Sequence, residues 1–244
     1  KKIIDARVVL GLYLSQLGCF TEAKESIDPI IDLAIRHDYK KRICQIYTII
    51  GTYDWFVEEY YEKATEALTK AINISEEIGN IVANVLANYW LGCTLGWNCE
   101  YEKAGNYFQK VLDINVAANS LWGINAAKSI LAWYCHFFAG KINQGFKITG
   151  ETLHSAEESG DIYSKAVAYT LHGSLCFGKG LLGEAEKHLL RGLELCERIQ
   201  VLAWITGARF ILGELYFELG DFTKSKEHYE KGISVLENSR MLPS

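Results

Sequence analysis

Apolar residues recur along this chain at intervals of three and four positions, which is the period of an α-helix with one buried face. Leu10, Leu14 and Leu17 show this spacing. After a break at Gly18, the same spacing resumes from Ala23. No segment alternates apolar and polar residues over a useful length, as a half-buried strand would. The pattern therefore predicts an all-α protein whose helices are joined by short turns.

The helical pattern itself repeats about every 40 residues. Its six copies are LGLYLSQLGCFTEA (10–23), GTYDWFVEEYYEKA (51–64), LGCTLGWNCEYEKA (91–104), AWYCHFFAGKINQG (132–145), HGSLCFGKGLLGEA (172–185) and LGELYFELGDFTKS (212–225). The small residues that close the copies are Ala23, Ala64, Ala104, Gly145, Ala185 and Ser225, at steps of 41, 40, 41, 40 and 40. A small residue lets the two helices of a pair cross closely. Each copy is therefore expected to be an antiparallel helix pair.

Capping residues mark further helix boundaries between the copies. Gly79-Asn80 and Gly160-Asp161 each combine a glycine that ends one helix with a side chain that caps the next. The second copy departs from the pattern, because Gly51 comes one residue early and the glycine of the turn is missing. The remaining copies keep the register.

These copies resemble the tetratricopeptide repeat. In the last copy the matching slots are Leu212-Gly213, Tyr216, Gly220, Phe222, Ser225 and Tyr229. The resemblance covers about residues 3–239. The usual repeat has about 34 residues, so this is a long-helix variant, similar to the arrays of polarity adaptors and of some bacterial regulators.

The resemblance implies a right-handed α-solenoid of six repeats and about twelve helices, forming one superhelical domain over residues 1–244. The expected repeats are 1–38, 39–79, 80–119, 120–160, 161–200 and 201–240. Neither end has an obvious polar cap, which a solenoid needs. The chain is therefore expected to be a fragment of a larger protein, or to associate with itself through its uncapped ends.

One set of positions on the first helix of each pair is unusually aromatic. Counting from the first glycine slot, positions −1 and +3 belong to the core, whereas −3, +1 and +4 form a separate stripe. This stripe, here called the aromatic stripe, comprises Val8, Leu12, Ser15, Thr48, Thr52, Trp55, Tyr89, Cys93, Gly96, Ile130, Tyr134, Phe137, Thr170, Ser174, Phe177, Phe210, Glu214 and Phe217. Seven of these residues are aromatic and one is charged. The resemblance implies that the stripe lines a concave groove.

The aromatic stripe has two interpretations. The rings could bury one another along adjacent first helices, or they could bind a partner helix, an extended peptide or another ligand. On the second interpretation the partner-binding residues are Trp55, Tyr89, Tyr134, Phe137, Phe177, Phe210, Glu214 and Phe217. The stripe holds no Lys or Arg, which argues against a clamp for a terminal carboxylate.

Charge and cysteine content narrow the class of protein. The net charge of −5 and a pI near 5.7, without any basic run, argue against a nucleic-acid partner. Seven cysteines without a CxxC pair are typical of reduced thiols in a cytoplasmic protein. The uncharged run 78–99 is long enough to cross a membrane, but its four asparagines favour a soluble helix.

The motifs that could carry chemistry are weak. Residues 173–179 match GxxxxGK, but Gly180 stands where a phosphate loop needs Ser or Thr, and the segment is predicted to be helical. His188 and His228 lie one repeat apart, on a helix side expected to be exposed. The acidic pairs 76–77 and 157–158 are also repeat-equivalent and indicate a solvated face. We therefore expect a non-enzymatic protein without catalytic residues, cofactor or metal.

Two functional hypotheses follow. In the first, the chain is a protein–protein interaction scaffold that holds a peptide or protein segment in the groove. In the second, it is a sensory or regulatory domain of a larger signalling NTPase, nucleotide-cyclase-like or transcription-activator protein. Such a domain would bind a small effector or an intramolecular segment.

Overall fold

A computed structural model describes residues 1–238, which form helices joined by short turns and contain no strand. The α-helices are α1 (Lys2–Leu17), α2 (Phe20–Ile27), α3 (Ile31–Arg36), α4 (Lys40–Phe56), α5 (Tyr61–Glu77), α6 (Ile81–Trp97), α7 (Tyr101–Ala117), α8 (Leu121–Ile130), α9 (Ile142–Ser159), α10 (Ile162–Gly178), α11 (Leu182–Ile199), α12 (Leu202–Glu218) and α13 (Phe222–Asn238). A 3₁₀ turn, Asp28–Ile30, separates α2 from α3, and a π-helical segment, Leu131–Phe137, continues α8. The all-α prediction is confirmed.

The helices follow one another as six pairs within residues 2–238. They pack as two compact units, Lys1–Val111 and Leu112–Asn238, with the boundary inside α7. The single domain over 1–244 stays a prediction. Residues 239–240 of the expected sixth repeat lie outside the described residues.

Apart from the 3₁₀ turn between α2 and α3, every turn between α-helices that ends a helix within residues 1–238 contains one residue in the left-handed conformation. These residues are Gly18, Asp38, Glu59, Gly79, Cys99, Asn119, Gly140, Gly160, Gly180, Gln200 and Gly220. They recur every 20 or 21 residues, so the elementary period is one helix and its turn. Glu59, with φ of 50°, takes the position where the second copy lacks its glycine. Sequence reasoning marked only turns that contain glycine, because the other five residues are not specific to this conformation.

The predicted caps and the small closing residues are confirmed. Asn80 accepts a hydrogen bond from the Ala83 amide at 3.3 Å, and Asp161 accepts one from the Ser164 amide at 2.7 Å. The six closing residues are all buried where the helices of a pair meet. At Gly213, a Cβ atom would come within 2.7 Å of the Tyr229 ring, so the glycine permits the close approach of α12 and α13.

Two irregularities were not predicted. Pro29 lies in the 3₁₀ turn that splits the second helix of the first pair, as expected of a residue without an N–H donor. The π-helical segment falls where Trp133 occupies a slot that holds glycine in other copies. A ring cannot enter a close helix crossing as glycine does, and a π turn changes the helix register locally.

The uncharged run 78–99 contains the whole of α6, and each of its four asparagine side chains makes a hydrogen bond, although the Asn88 Oδ1 atom has none. Asn88 is buried and donates to the Asn84 carbonyl at 2.8 Å, while Asn84 donates to Ser75 at 3.1 Å. Among residues 1–238, no helix has the length and apolar character needed to cross a bilayer.

Candidate functional site

Most of the small and polar positions of the aromatic stripe are buried. Thr48 donates to the Cys44 carbonyl at 3.1 Å, Thr170 to the Ala166 carbonyl at 2.9 Å, and Ser174 to the Thr170 carbonyl at 2.8 Å. Each hydroxyl is therefore satisfied by its own helix. These positions pack between helices and do not face a ligand.

In the first unit, the stripe aromatics belong to a cluster of rings. Trp55 is half-buried, 4.0 Å from the Phe56 ring and 6.2 Å from the Trp90 ring. Tyr89 is also half-buried, and its ring meets Trp90 edge-on at 5.2 Å. Phe20 stacks on Phe56 at 4.1 Å beneath them. The rings of Trp55 and Tyr89 are thus partly engaged in holding α2, α4 and α6 together.

In the second unit, the stripe aromatics range from buried to half-buried along α8–α10. Tyr134 is only 6% exposed, so its ring packs within the unit. Phe137 is half-buried and stacks on Trp133 with centroids 5.1 Å apart. Phe177 is half-buried at the end of α10. The rings of Phe137 and Phe177 therefore remain partly exposed at the surface.

The stripe is most exposed on α12. Phe210 is 52% exposed and Phe217 is 56% exposed, although the same slots in α10 are buried or half-buried. Phe222 is 63% exposed and lies 5.5 Å from Phe217, edge to face. Together with Glu214, these residues form what we call the α12 face.

Glu214 is the one charged residue of the aromatic stripe, and its position is fixed. Its carboxylate accepts a hydrogen bond from the Tyr229 hydroxyl. Burial and this hydrogen bond raise the pKa of Tyr229 to about 12, so the phenol keeps its proton and remains a donor. The carboxylate is held between the two exposed rings of Phe210 and Phe217 on α12.

The phosphate-loop match does not form a loop. Residues 173–178 are the last turns of α10, and Gly180 provides the left-handed turn, as Gly220 does one repeat later. Lys179 donates to Asn143 at 2.9 Å and lies 4.8 Å from the centre of the Phe146 ring. Repeat geometry accounts for the glycines of the match.

The prediction that His188 and His228 are exposed was wrong. The His188 side chain is 15% exposed and lies 5.0 Å from the His172 ring, while His228 is half-buried against Tyr216 at 5.4 Å. A residue three positions after the closing slot lies on nearly the same helix face as that slot, so it turns toward the first helix. Burial lowers the pKa of both histidines.

The acidic pairs lie on a solvated face, as predicted. Glu77 pairs with Lys40, and Glu157 accepts from Lys165 at 2.8 Å. Within residues 1–238, no group of three or more His, Cys, Asp or Glu side chains is arranged to hold a metal ion.

Sequence reasoning missed a cleft of about 440 Å³ in the first unit. Its lining residues are Tyr61, Thr65, Leu91, Leu95, Glu100, Lys103, Asn106, Tyr107 and Lys110. Hydrogen bonds from Lys103, Tyr61 and Asn98 lower the pKa of Glu100 to about 2. A signal in the sequence is Thr65, in a slot that holds a longer side chain in four copies and none at Gly105; the longer residues are Lys24, Phe146, Glu186 and Lys226.

A sequence-family model for the tetratricopeptide repeat matches residues 206–235. No curated protein sequence matches the chain significantly. Aspartyl phosphate phosphatase F from Bacillus subtilis has a similar structure, with 16% identity and a TM-score of 0.76 over 100% of this chain and 63% of that one. NprR in complex with its cognate peptide NprX gives 15% identity and a TM-score of 0.75, over 99% and 69% of the two chains.

A Rap protein complexed with competence and sporulation factor gives 14% identity and a TM-score of 0.70, covering 97% of this chain and 77% of that one. The chain thus spans less than two thirds of the length of the phosphatase structure. It spans 69% of the NprR chain and 77% of the Rap chain. At these identities the likeness shows the fold alone. The chain therefore has the fold of a helical repeat protein with a period of 40 to 41 residues, and residues 206–235 match the tetratricopeptide repeat.

Proposed function

We propose that this chain is a non-enzymatic interaction scaffold that binds a peptide or protein segment through the part of the aromatic stripe in its second unit, with the α12 face as the main contact. The observation that carries the proposal is the exposure of Phe210 and Phe217, at 52% and 56%. Contiguous exposed aromatic residues mark interaction surfaces in soluble proteins. The half-buried Phe137 and Phe177 extend the apolar character to the other first helices of the second unit.

The chemistry of the stripe indicates the class of ligand. Apolar and aromatic side chains, presented at intervals by a helix or an extended segment, suit a row of rings. The single carboxylate, Glu214, favours a ligand with a donor or a basic group near its centre. Two solved proteins of this fold, NprR and a Rap protein, are described in complex with a peptide and with a named factor. Those complexes support a ligand of the peptide type.

Selection of a peptide ligand tests the proposal. The purified chain is screened against a displayed library of random peptides, and the affinities of the selected peptides are measured by isothermal titration. We expect the Phe210→Glu/Phe217→Glu variant to lose affinity at least 10-fold, because each substitution removes an exposed ring. The matched control is Leu190→Glu on α11, where Leu190 is 41% exposed and lies outside the stripe.

Equal affinity in the wild type and in the double variant would overturn the proposal. Because both phenylalanines are more than half exposed, the double variant should keep the helicity and melting temperature of the wild type. A large loss of stability would instead support the structural interpretation of these rings.

A second candidate is a regulatory domain of a longer protein. The solved proteins of this fold extend beyond the region that this chain matches, by 37% of the length of the phosphatase structure. The coding sequence on either side of this chain separates the two functions. A neighbouring NTPase, cyclase or DNA-binding module would favour regulation by an effector or an intramolecular segment.

A further inference from the structure

We propose that the cleft between α5, α6 and α7 is a second peptide subsite, which takes an aromatic side chain followed by an acidic residue. Its lining residues do not belong to the aromatic stripe. The inference adds a separate binding site to the proposed scaffold, and its tests do not depend on the α12 face.

The cleft has an apolar floor and aromatic walls. Leu91 and Leu95 of α6 form the floor and are themselves almost fully buried. Tyr61 of α5 and Tyr107 of α7 stand on either side. The volume of about 440 Å³ is at the small end of the range for ligand pockets, about 300–1,000 Å³. A site of this size and lining suits one ring and its neighbouring residue.

The second unit shows what fills the equivalent space. Phe146 follows the closing residue Gly145 as Thr65 follows Ala64, so the two residues occupy the same slot. The Phe146 ring lies 5.0 Å from the ring of His172, which takes the slot of Leu91. The ring of His188, in the slot of Tyr107, meets the His172 ring edge to face at 5.0 Å. The repeat therefore accommodates a phenylalanine ring at this place, and Thr65 leaves the space open.

One charged group of the cleft remains available to a ligand. The Thr65 hydroxyl is closed off beside the Tyr61 hydroxyl, which donates to Glu100. The Lys110 ammonium lies 5.4 Å from the Tyr107 ring, and no ion pair to it occurs within residues 1–238. Glu100 is already paired with Lys103, so Lys110 leaves one uncompensated positive charge at the rim.

The test uses a defined probe, N-acetyl-4-fluorophenylalanyl-aspartate amide, titrated with the 244-residue chain and followed by fluorine NMR. We expect a concentration-dependent shift and broadening of the probe signal. Thr65→Phe should abolish the effect, because the introduced ring fills the slot as Phe146 does. The matched control Thr69→Phe places the same ring one turn further along α5, on an exposed position, and should bind the probe as the wild type does.

A second variant tests the charge without filling the cleft. Lys110→Gln should weaken binding of the aspartate probe about 2- to 5-fold and leave the affinity for the matching asparagine probe unchanged, as expected for one ion pair at an exposed rim. This variant keeps the proposal falsifiable if Thr65→Phe fails to fold.

Three results would overturn the proposal. The first is no binding of the probe at a chain concentration of several millimolar, and the second is equal binding by the wild type and by Thr65→Phe. The third is an equal loss of affinity for the aspartate and asparagine probes in Lys110→Gln. Loss of probe binding in Phe210→Glu/Phe217→Glu would assign the ring to the aromatic stripe and would also contradict the cleft. Retention in that variant, with loss in Thr65→Phe, supports the cleft whatever the outcome for the α12 face.

Discussion

His172 occupies a core slot that holds leucine in the third and sixth copies, at Leu91 and Leu212. Its ring accepts or donates a hydrogen bond with Thr149 at 3.0 Å and lies between Phe146 and His188. Burial and the neighbouring His188 lower the pKa of His172 to about 4, and Glu184 opposes this only weakly. A histidine in the unfolded chain titrates near 6.5. Between these values the unfolded chain binds more protons, so stability falls as the pH falls.

The substitution His172→Leu should therefore reduce the pH dependence of stability. We expect the free energy of unfolding of the wild type to decrease by about 2 kcal/mol more than that of the variant between pH 7 and pH 5. Urea unfolding at the two pH values measures this difference. The control His154→Gln, at an exposed position, should behave like the wild type. Parallel losses in the wild type and in His172→Leu would contradict the assigned pKa.

The backbone conformation of the helix-and-turn element repeats more regularly along the chain than its amino-acid sequence does. Each turn except the 3₁₀ turn Asp28–Ile30 places one residue in the left-handed region, yet glycine holds only six of the eleven positions within residues 1–238. The sequence predicted the turns that contain glycine and the caps at Asn80 and Asp161. It did not predict Glu59 or Cys99 as left-handed, because neighbouring helix packing, and not their own preference, imposes that conformation.

Glycine at such a position should relieve backbone strain. Glu59→Gly is expected to raise the free energy of unfolding by about 0.5–1 kcal/mol. The left-handed conformation costs a non-glycine residue about 1–2 kcal/mol, and glycine avoids this cost. Part of the gain is lost because glycine makes the unfolded chain more flexible. Gly220→Ala, the converse change, should lower stability by about 1 kcal/mol, since no Cβ contact exists there and only the φ of 76° matters. Urea unfolding measures both. The prediction fails if the two changes have the same sign.

At the scale of the whole molecule, the repeat period was sufficient to predict an all-α protein of six helix pairs. The repeat period could not predict which residues of the candidate site are exposed. Phe177 and Phe217 are the same residue type in the same slot, but one is half-buried and the other is 56% exposed. What differs is the covering provided by neighbouring helices, which the pattern within one helix does not encode. The open cleft depends likewise on the short side chain of Thr65, in a slot where only Gly105 is smaller among the six copies.

A peptide bound to this chain is proposed to lie on the α12 face, and photo-crosslinking reports which residues it contacts. A selected peptide that carries a benzophenone in place of one apolar residue is irradiated with the chain, and the adduct is digested with trypsin. Cleavage after Arg209 and Lys224 releases residues 210–224, a fragment that contains Phe210, Phe217 and Phe222. We predict that this fragment carries the dominant crosslink and that Phe210→Glu/Phe217→Glu abolishes it. A dominant crosslink in α9 or α11, with none in residues 210–224, would contradict the claim.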